Sequence, residues 1–307
     1  MLLGLLIEAA MGWPAKLHAR ISHPVVWIGA LISLCERTVN DGTTSTRRAM
    51  GSATIVVTLA ASIGLAAFVA SLLPGGWIGT LLTGLLAWPF IAARSLHEHV
   101  AAVALPQEAG DLTCARKAVS MIVGRTPETL DNEAINRAAL ESLAENASDG
   151  VVAPIFWGVI FGLPGIVGYK ALNTADSMIG HRTERFEDFG WAAARLDDLA
   201  NLIPARLTAL LIALATGRFA RVVSTIRRDA RKHRSPNAGW PETAMAAGLG
   251  VRLSGPRFYD GLPTDDPFLN ADAPDPLPAD LTLGLRLYRR TMIIFAASLV
   301  AMSLLFG

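Results

Sequence analysis

Between Glu141 and Asp198 the chain crowds carboxylates, amides, one histidine and several arginines around nineteen uncharged residues, Val151–Tyr169. Glu141, Glu145 and Asp149 recur every four positions, the spacing that places side chains on one face of a helix, with Asn146 and Gly150 beside them. Such a stripe is either a solvated helix face or a set of hard oxygen ligands, because magnesium takes carboxylate oxygens together with substrate phosphates. It ends where the apolar run begins, and carboxylates are expensive at a membrane, which favours the chemical reading.

Beyond the run, Asn173, Asp176 and Ser177 fall within one helical turn. Asn173 and Asp176 share a face at i,i+3, although all three residue types also cap helices. In His181-Arg-Thr-Glu-Arg185, two arginines flank Glu184. Arg182 and Arg185 suit a phosphate clamp, since guanidinium binds phosphate bidentately; the alternative is surface ion pairing, worth little. A lone His181 makes no metal site and serves either acid–base chemistry or simple polarity. In Arg195-Leu-Asp-Asp198 the paired Asp197 and Asp198 either ligate magnesium or pair with nearby arginines. Ser235-Pro-Asn-Ala-Gly-Trp-Pro-Glu242 is either loop-to-helix punctuation or a cradle for a planar ligand built on Asn237 and Trp240. The standard GxxxxGK[ST], GxGxxG, GxSxG and HExxH signatures do not occur, so any nucleotide would bind outside those loops.

The elements that must hold these residues are those of a membrane protein. Of 307 residues, 52% are hydrophobic and only 17% charged, well under the roughly 25% charged residues of soluble domains. A net charge of +1 excludes the basic excess of a nucleic-acid binder, and two cysteines without a CxxC give neither a disulfide framework nor a zinc site. No Lys or Arg precedes the first apolar stretch, which argues against a cleaved signal peptide. The first 35 residues read as interfacial or partly inserted helices around Lys16, His18 and Arg20, with Pro24 at a helix start. Clear spans are expected at about 53–73, 77–93 and 292–306, separated in the first case by Pro74-Gly75-Gly76. Arg47, Arg48 and Arg94 put the outer ends of the first pair in the cytoplasm. Residues 95–150 read as soluble helices, with Thr126 and Pro127 as a start. Arg218–Arg234 carries seven Lys/Arg against one acid, a segment for anionic headgroups, and 260–280 mixes five Pro with six Asp into an irregular loop. If 151–169 and 202–216 both crossed fully, the polar motifs would be split across the bilayer. The expectation is therefore an all-α, polytopic single domain over 1–307, with 151–169 broken or re-entrant near Gly162-Leu-Pro-Gly165 and 202–216 not fully crossing, all around a cytoplasm-facing polar site.

Seven motifs, taken together and in order, resemble the adenosylcobinamide-phosphate synthase (CobD/CbiB) family of cobalamin biosynthesis from about Glu8 to Gly261. They are His23-Pro-Val-Val-Trp-Ile-Gly29, Arg94-Ser-Leu-His-Glu-His99, Ala118-Val-Ser-Met-Ile-Val-Gly-Arg125, Glu141 to Pro154, Asn173 to Gly180, Phe189 to Asp198 and Ser235 to Glu242. Ala30 departs from the basic residue expected there. The resemblance implies a multi-pass enzyme of the cytoplasmic (inner) membrane that joins adenosylcobyric acid to (R)-1-amino-2-propanol or its O-phosphate, with ATP and Mg2+. It implies catalytic roles among Glu141, Glu145, Asn146, Asp149, Asn173, Asp176, His181 and Glu184, and metal contacts at Asp149, Asp176, Asp197 and Asp198. Substrate contacts fall to His23, Ser120, Arg125, Ser177, Arg182, Arg185, Arg195, Asn237 and Trp240. Expected partners are the corrinoid and amine substrates and the lipid bilayer, not nucleic acid, with room for other late cobalamin-pathway enzymes and for a homo-oligomer. Two rivals are a non-catalytic signalling protein of the AmpE type, which would not need the dense acid and Arg motifs, and a transporter, which would carry its charges mid-span.

Overall fold

The computed structural model describes residues 1–14, 22–122, 130–256, 258–259, 262–263 and 265–306. Lys16, His18, Arg20, Arg125 and the expected helix start at Thr126-Pro127 lie outside the described residues. In chain order the helices are α1 (Leu2–Met11), α2 (Pro24–Val39), α3 (Thr44–Ser71), α4 (Gly76–Ala87), α5 (Ala93–Glu108), α6 (Leu112–Ser120) and α7 (Asn132–Ala147). A five-residue π-helical segment, Ser148–Val152, joins α7 to α8 (Ala153–Ile179). There follow α9 (Trp191–Ala200), α10 (Leu202–Ala215), α11 (Phe219–Asp229), α12 (Gly239–Leu249) and α13 (Pro278–Phe306).

The described residues pack as two compact units, each discontinuous in sequence: Met1–Ala92 with Asp149–Asn201, and Ala93–Ser148 with Leu202–Gly307. The first has its core among Ile32 and Ile55 of α2 and α3, Leu172, Ala175 and Ile179 of α8, and Phe189, Ala192 and Ala193. The second is centred on α7, whose Ile135, Leu140 and Leu143 meet Val100, Ile212, Met245 and Leu285. Among the described residues, four helical stretches are long and apolar enough to cross a membrane, and five if α9 and α10 count together; the protein is a helical, multi-pass membrane protein.

Several boundaries differ from those expected. α3 begins at Thr44, capped by the Thr43 hydroxyl, so Arg47 and Arg48 lie inside it rather than before it. The stretch 77–93 is not one helix: α4 ends at Ala87 and a 3-10 turn, Trp88–Phe90, holds Pro89. The longer stretch Gly76–Glu108, across that turn, is still long and apolar enough to cross. The last helix starts at Pro278, fourteen residues before 292. Residues 253–269, which overlap the expected 260–280 loop, carry two short antiparallel pairs, Leu253–Ser254 against Phe268–Leu269 in register Leu253↔Leu269, and Phe258–Tyr259 against Leu262–Pro263.

α8 contains the break that organises the first unit. By length and composition Asn132–Ile179 would pass as one 48-residue span. Yet Gly162 has φ 66° and ψ −148°, a conformation open essentially only to glycine. A Cβ on Gly165 would sit 2.2 Å from the Trp157 carbonyl oxygen, although eight residues of straight helix would separate the two by about 12 Å. The chain therefore doubles back at Gly162–Gly165 as a helical hairpin.

Candidate active site

The hairpin returns Tyr169 to the level of Asp149, and the residues at its mouth carry the polar chemistry. Tyr169 donates its hydroxyl proton to Asn201 Oδ1 at 2.9 Å, and Asn201 Nδ2 donates to Asp197 Oδ2, also at 2.9 Å. Asp197 is buried, with Asn173, Asp176 and Asp198 as its neighbours. Its other oxygen, Oδ1, is buried with no hydrogen-bond partner among the described residues. Lys170 donates from Nζ to Asn173 Oδ1 at 3.1 Å and has Asp149 and Asp197 as charged neighbours. Asp176 lies so close against Gly180 that a Cβ there would meet Asp176 Oδ1 at 2.0 Å. His181 is an electrostatic neighbour of Asp176, and Arg182 and Arg195 are charged neighbours of Asp198.

Thus Asp149, Lys170, Asn173, Asp176, His181, Arg182, Arg195, Asp197 and Asp198 gather in the first unit. The helical period explains much of it: Lys170, Asn173 and Asp176 follow at threes on α8, and Asp197, Asp198 and Asn201 share the end of α9. Lys170 had no place among the expected site residues. A signal for it existed: lysine stands at only four positions among 27 basic residues, and at the edge of an apolar run it supplies a compact, titratable charge that arginine does not.

Other expected site residues have different occupations. Arg185 forms a bidentate ion pair: its Nε and Nη2 donate to Glu36 Oε1 and Oε2, both at 2.8 Å. The hydrogen bonds from Arg185, outweighing the burial of Glu36, hold the Glu36 carboxyl below its ordinary range. The same loop is tied down by Asn40 and Arg47, which donate to the Arg185 carbonyl oxygen, by Arg47 to the Glu184 carbonyl, and by the Arg48–Asp188 ion pair at 3.0 Å. Glu184 thereby contributes its backbone, its side chain lying exposed.

The acidic stripe also divides. Glu141 is buried in the second unit, where Oε1 accepts the Ser254 amide at 2.7 Å and supports a residue with φ 60°; this is a structural duty. Asn146 donates to the Ser142 carbonyl at 3.0 Å beside exposed Glu145, both in the second unit, whereas Asp149 follows the π segment into the first. Ser177 returns its hydroxyl proton to the Asn173 carbonyl, and Ser120 does the same to Lys117. His23 caps α2, accepting the Val25 amide on Nδ1 at 3.3 Å and packing edge-on against Trp13. In the second unit, the Arg206 guanidinium lies over the Trp240 ring at 4.3 Å and reaches Asn237 Oδ1 at 3.5 Å.

Among the described residues no three His, Cys, Asp or Glu side chains form a metal-holding set. The donors would suit magnesium carried with phosphates, which needs only one or two carboxylates; Asp197 Oδ1, buried without a hydrogen-bond partner among the described residues, is the oxygen that would hold it.

The described family of CobD/Cbib proteins matches residues 1–288. The chain is 60% identical over 286 residues to the cobalamin biosynthesis protein CobD of Rhodobacter capsulatus, covering 93% of this chain and 91% of that one. It is 48% identical over 312 residues to the protein of that name from Brucella suis, covering 98% and 95%. To that of Rhizobium meliloti it is 48% identical over 280 residues, covering 88% and 85%. No solved structure matches. With the matched region running through every element that builds the polar cluster, the chain belongs to the CobD/CbiB family of cobalamin biosynthesis.

Proposed function

We propose that the protein forms the amide bond between adenosylcobyric acid and (R)-1-amino-2-propanol or its O-phosphate, with ATP, at the cytoplasmic face of the inner membrane. The observation that supports this reading is the cluster of Asp149, Asp176, Asp197 and Asp198 with Lys170, Arg182 and Arg195 at the mouth of the helical hairpin. A carboxylate is a poor electrophile, so amide formation calls for activation, most simply as an acyl phosphate. Magnesium bound with the nucleotide would supply charge neutralisation on its phosphates. Arg182 and Arg195, both exposed, orient the transferred phosphoryl group and offset its developing charge. Asp176 and Asp197 fix the cationic side of the complex, and Tyr169 and Asn201 hold Asp197 in place. The attacking amine is non-nucleophilic while protonated; His181, a neighbour of Asp176, is the residue we assign to accept that proton, with Glu145 as the alternative the sequence offers.

The test is purified protein supplied with adenosylcobyric acid, either form of the amine, ATP and Mg2+, with product followed by mass spectrometry. Amide should form, and Asp176→Asn should abolish it while leaving membrane insertion intact. A wild-type rate in that variant removes Asp176 from the site; no amide with either amine removes the reading.

A further inference from the structure

The helix α13 changes character at Arg290. Before it, Leu281, Leu285, Leu287 and Tyr288 belong to the core of the second unit. Two side-chain bonds hold this part on α5: Tyr288 donates its hydroxyl proton to the Ala93 carbonyl at 2.8 Å, and Thr282 Oγ1 donates to Glu108 Oε1 at 2.6 Å. After it, Thr291 to Phe306 carry no charge, and Ile293, Val300 and Leu304 are 67%, 42% and 82% exposed. Large apolar side chains displayed along an uncharged helix call for hydrocarbon around them, so the edge of the acyl-chain region falls just past Arg290.

Three arginines stand at that edge. Arg286, Arg289, Arg290 and Ile293 occupy positions i, i+3, i+4 and i+7, one face of a helix, and Val300 and Leu304 continue the same face. The guanidinium groups therefore sit in line with the lipid-facing stripe. All three arginines are exposed, and none of their side chains has an ion-pair or hydrogen-bond partner among the described residues. His97 of α5 is an electrostatic neighbour of Arg289, and Glu98, next to it in the chain, is engaged by Arg94 Nε at 2.6 Å. Guanidinium binds phosphate oxygens bidentately, and basic clusters beside a span attract anionic headgroups. We propose that this face binds one anionic phospholipid, its phosphate on Arg286, Arg289 and Arg290 and an acyl chain along Ile293, Val300 and Leu304. Phosphatidylcholine fits less well, because its choline cation meets the same arginines. The continuity of charge and apolar stripe on one face selects a lipid over a soluble phosphate. The proposal does not depend on amide formation, because its test reads lipid binding alone.

The full chain, purified in a neutral detergent, is titrated with phosphatidylglycerol and with phosphatidylcholine of the same acyl chains, and bound lipid is counted by native mass spectrometry. Phosphatidylglycerol should bind about tenfold more tightly. Arg289→Gln should weaken it about tenfold, the loss of one charge-assisted contact, with an unchanged melting temperature in detergent alone. Arg227→Gln, which removes an exposed arginine of α11, controls for unspecific charge and should bind as wild type does. Excess sn-glycerol 3-phosphate should leave the bound lipid in place. Equal phosphatidylglycerol affinity in wild type and Arg289→Gln overturns the proposal, as does an equal loss in Arg227→Gln. Failure to discriminate between the two lipids, or displacement of the lipid by glycerol phosphate, overturns it too.

Discussion

The Tyr169 hydroxyl lies 3.4 Å from the carbonyl oxygen of Asp149, twenty residues earlier in the chain. A straight helix of that length would hold them about 30 Å apart, the thickness of a hydrocarbon core. The hairpin instead brings the polar residues on both of its flanks to one level, and Asn201 joins them by accepting from Tyr169. Asp149, Asp176 and Asp197 are thereby all charged neighbours of Tyr169 within a single unit.

That geometry predicts sidedness. The loop after α8 is tied to the start of α3 through Arg48–Asp188, and α3 has 28 residues, about 42 Å, enough to cross. In a background with Cys35 and Cys114 replaced by alanine, an impermeant thiol reagent should label Thr183→Cys and Thr43→Cys from the same side. Gly75→Cys, beyond the far end of α3, should label from the other. Thr183 and Thr43 reacting from opposite sides would sink the hairpin as a re-entrant element.

Much of this was legible in sequence. The uncharged runs, Pro24 at a helix start and the Gly162–Gly165 break all leave local marks, because glycine and proline act on their own backbone. The carboxylates at the edges of apolar runs were conspicuous for a related reason, being costly there. What sequence concealed were pairings between distant positions, Arg185 with Glu36 and Glu141 with Ser254. Neither has a periodicity to betray it. The two units were hidden likewise, since each is assembled from separated segments.

Lys170 should matter for turnover rather than folding. Its Nζ makes one hydrogen bond, to Asn173, amid Asp149 and Asp197. Lys170→Met is expected to lower amide formation by about a hundredfold, the scale of losing one positioned charge from a site, with a melting temperature close to wild type. Lys170→Arg should not restore it, since the planar guanidinium does not substitute for a point charge. Wild-type turnover in Lys170→Met would assign the lysine to packing alone.

Acid should weaken the second unit through Asp229. Burial alone would push its carboxyl up; the hydrogen bonds from Arg228, Lys232 and the Asn270 amide override this and bring it down to about 2, from an ordinary 3.8. A carboxylate depressed on folding contributes stability above its unfolded value and loses it as pH falls through the folded one. Melting temperature should thus drop between about pH 4 and pH 2, and Asp229→Asn should be less stable at neutral pH with a shallower acid limb. The limb will not vanish, because Asp275, hydrogen-bonded by Arg252 and flanked by Arg137, is also held low. An unchanged limb in Asp229→Asn would refute the assignment.

The loop bearing His181 and Arg182 depends on two close backbone approaches, and these give a test with an internal control. A Cβ on Gly51 would lie 1.8 Å from the Phe189 carbonyl oxygen, and one on Gly190 1.6 Å from that of Ile179. Backbone atoms cannot swing aside as a side chain can, so Gly51→Ala and Gly190→Ala should each cost about 1–3 kcal/mol or more and lower amide formation by displacing the loop. Gly64, on the same helix as Gly51, has nothing within 4 Å of its added Cβ. There alanine relieves the conformational freedom of a mid-helix glycine and should be neutral or stabilising by up to about 1 kcal/mol. Thermal unfolding of the three variants in one detergent decides it: equal melting temperatures for Gly51→Ala and Gly64→Ala would mean that the loop does not press against α3.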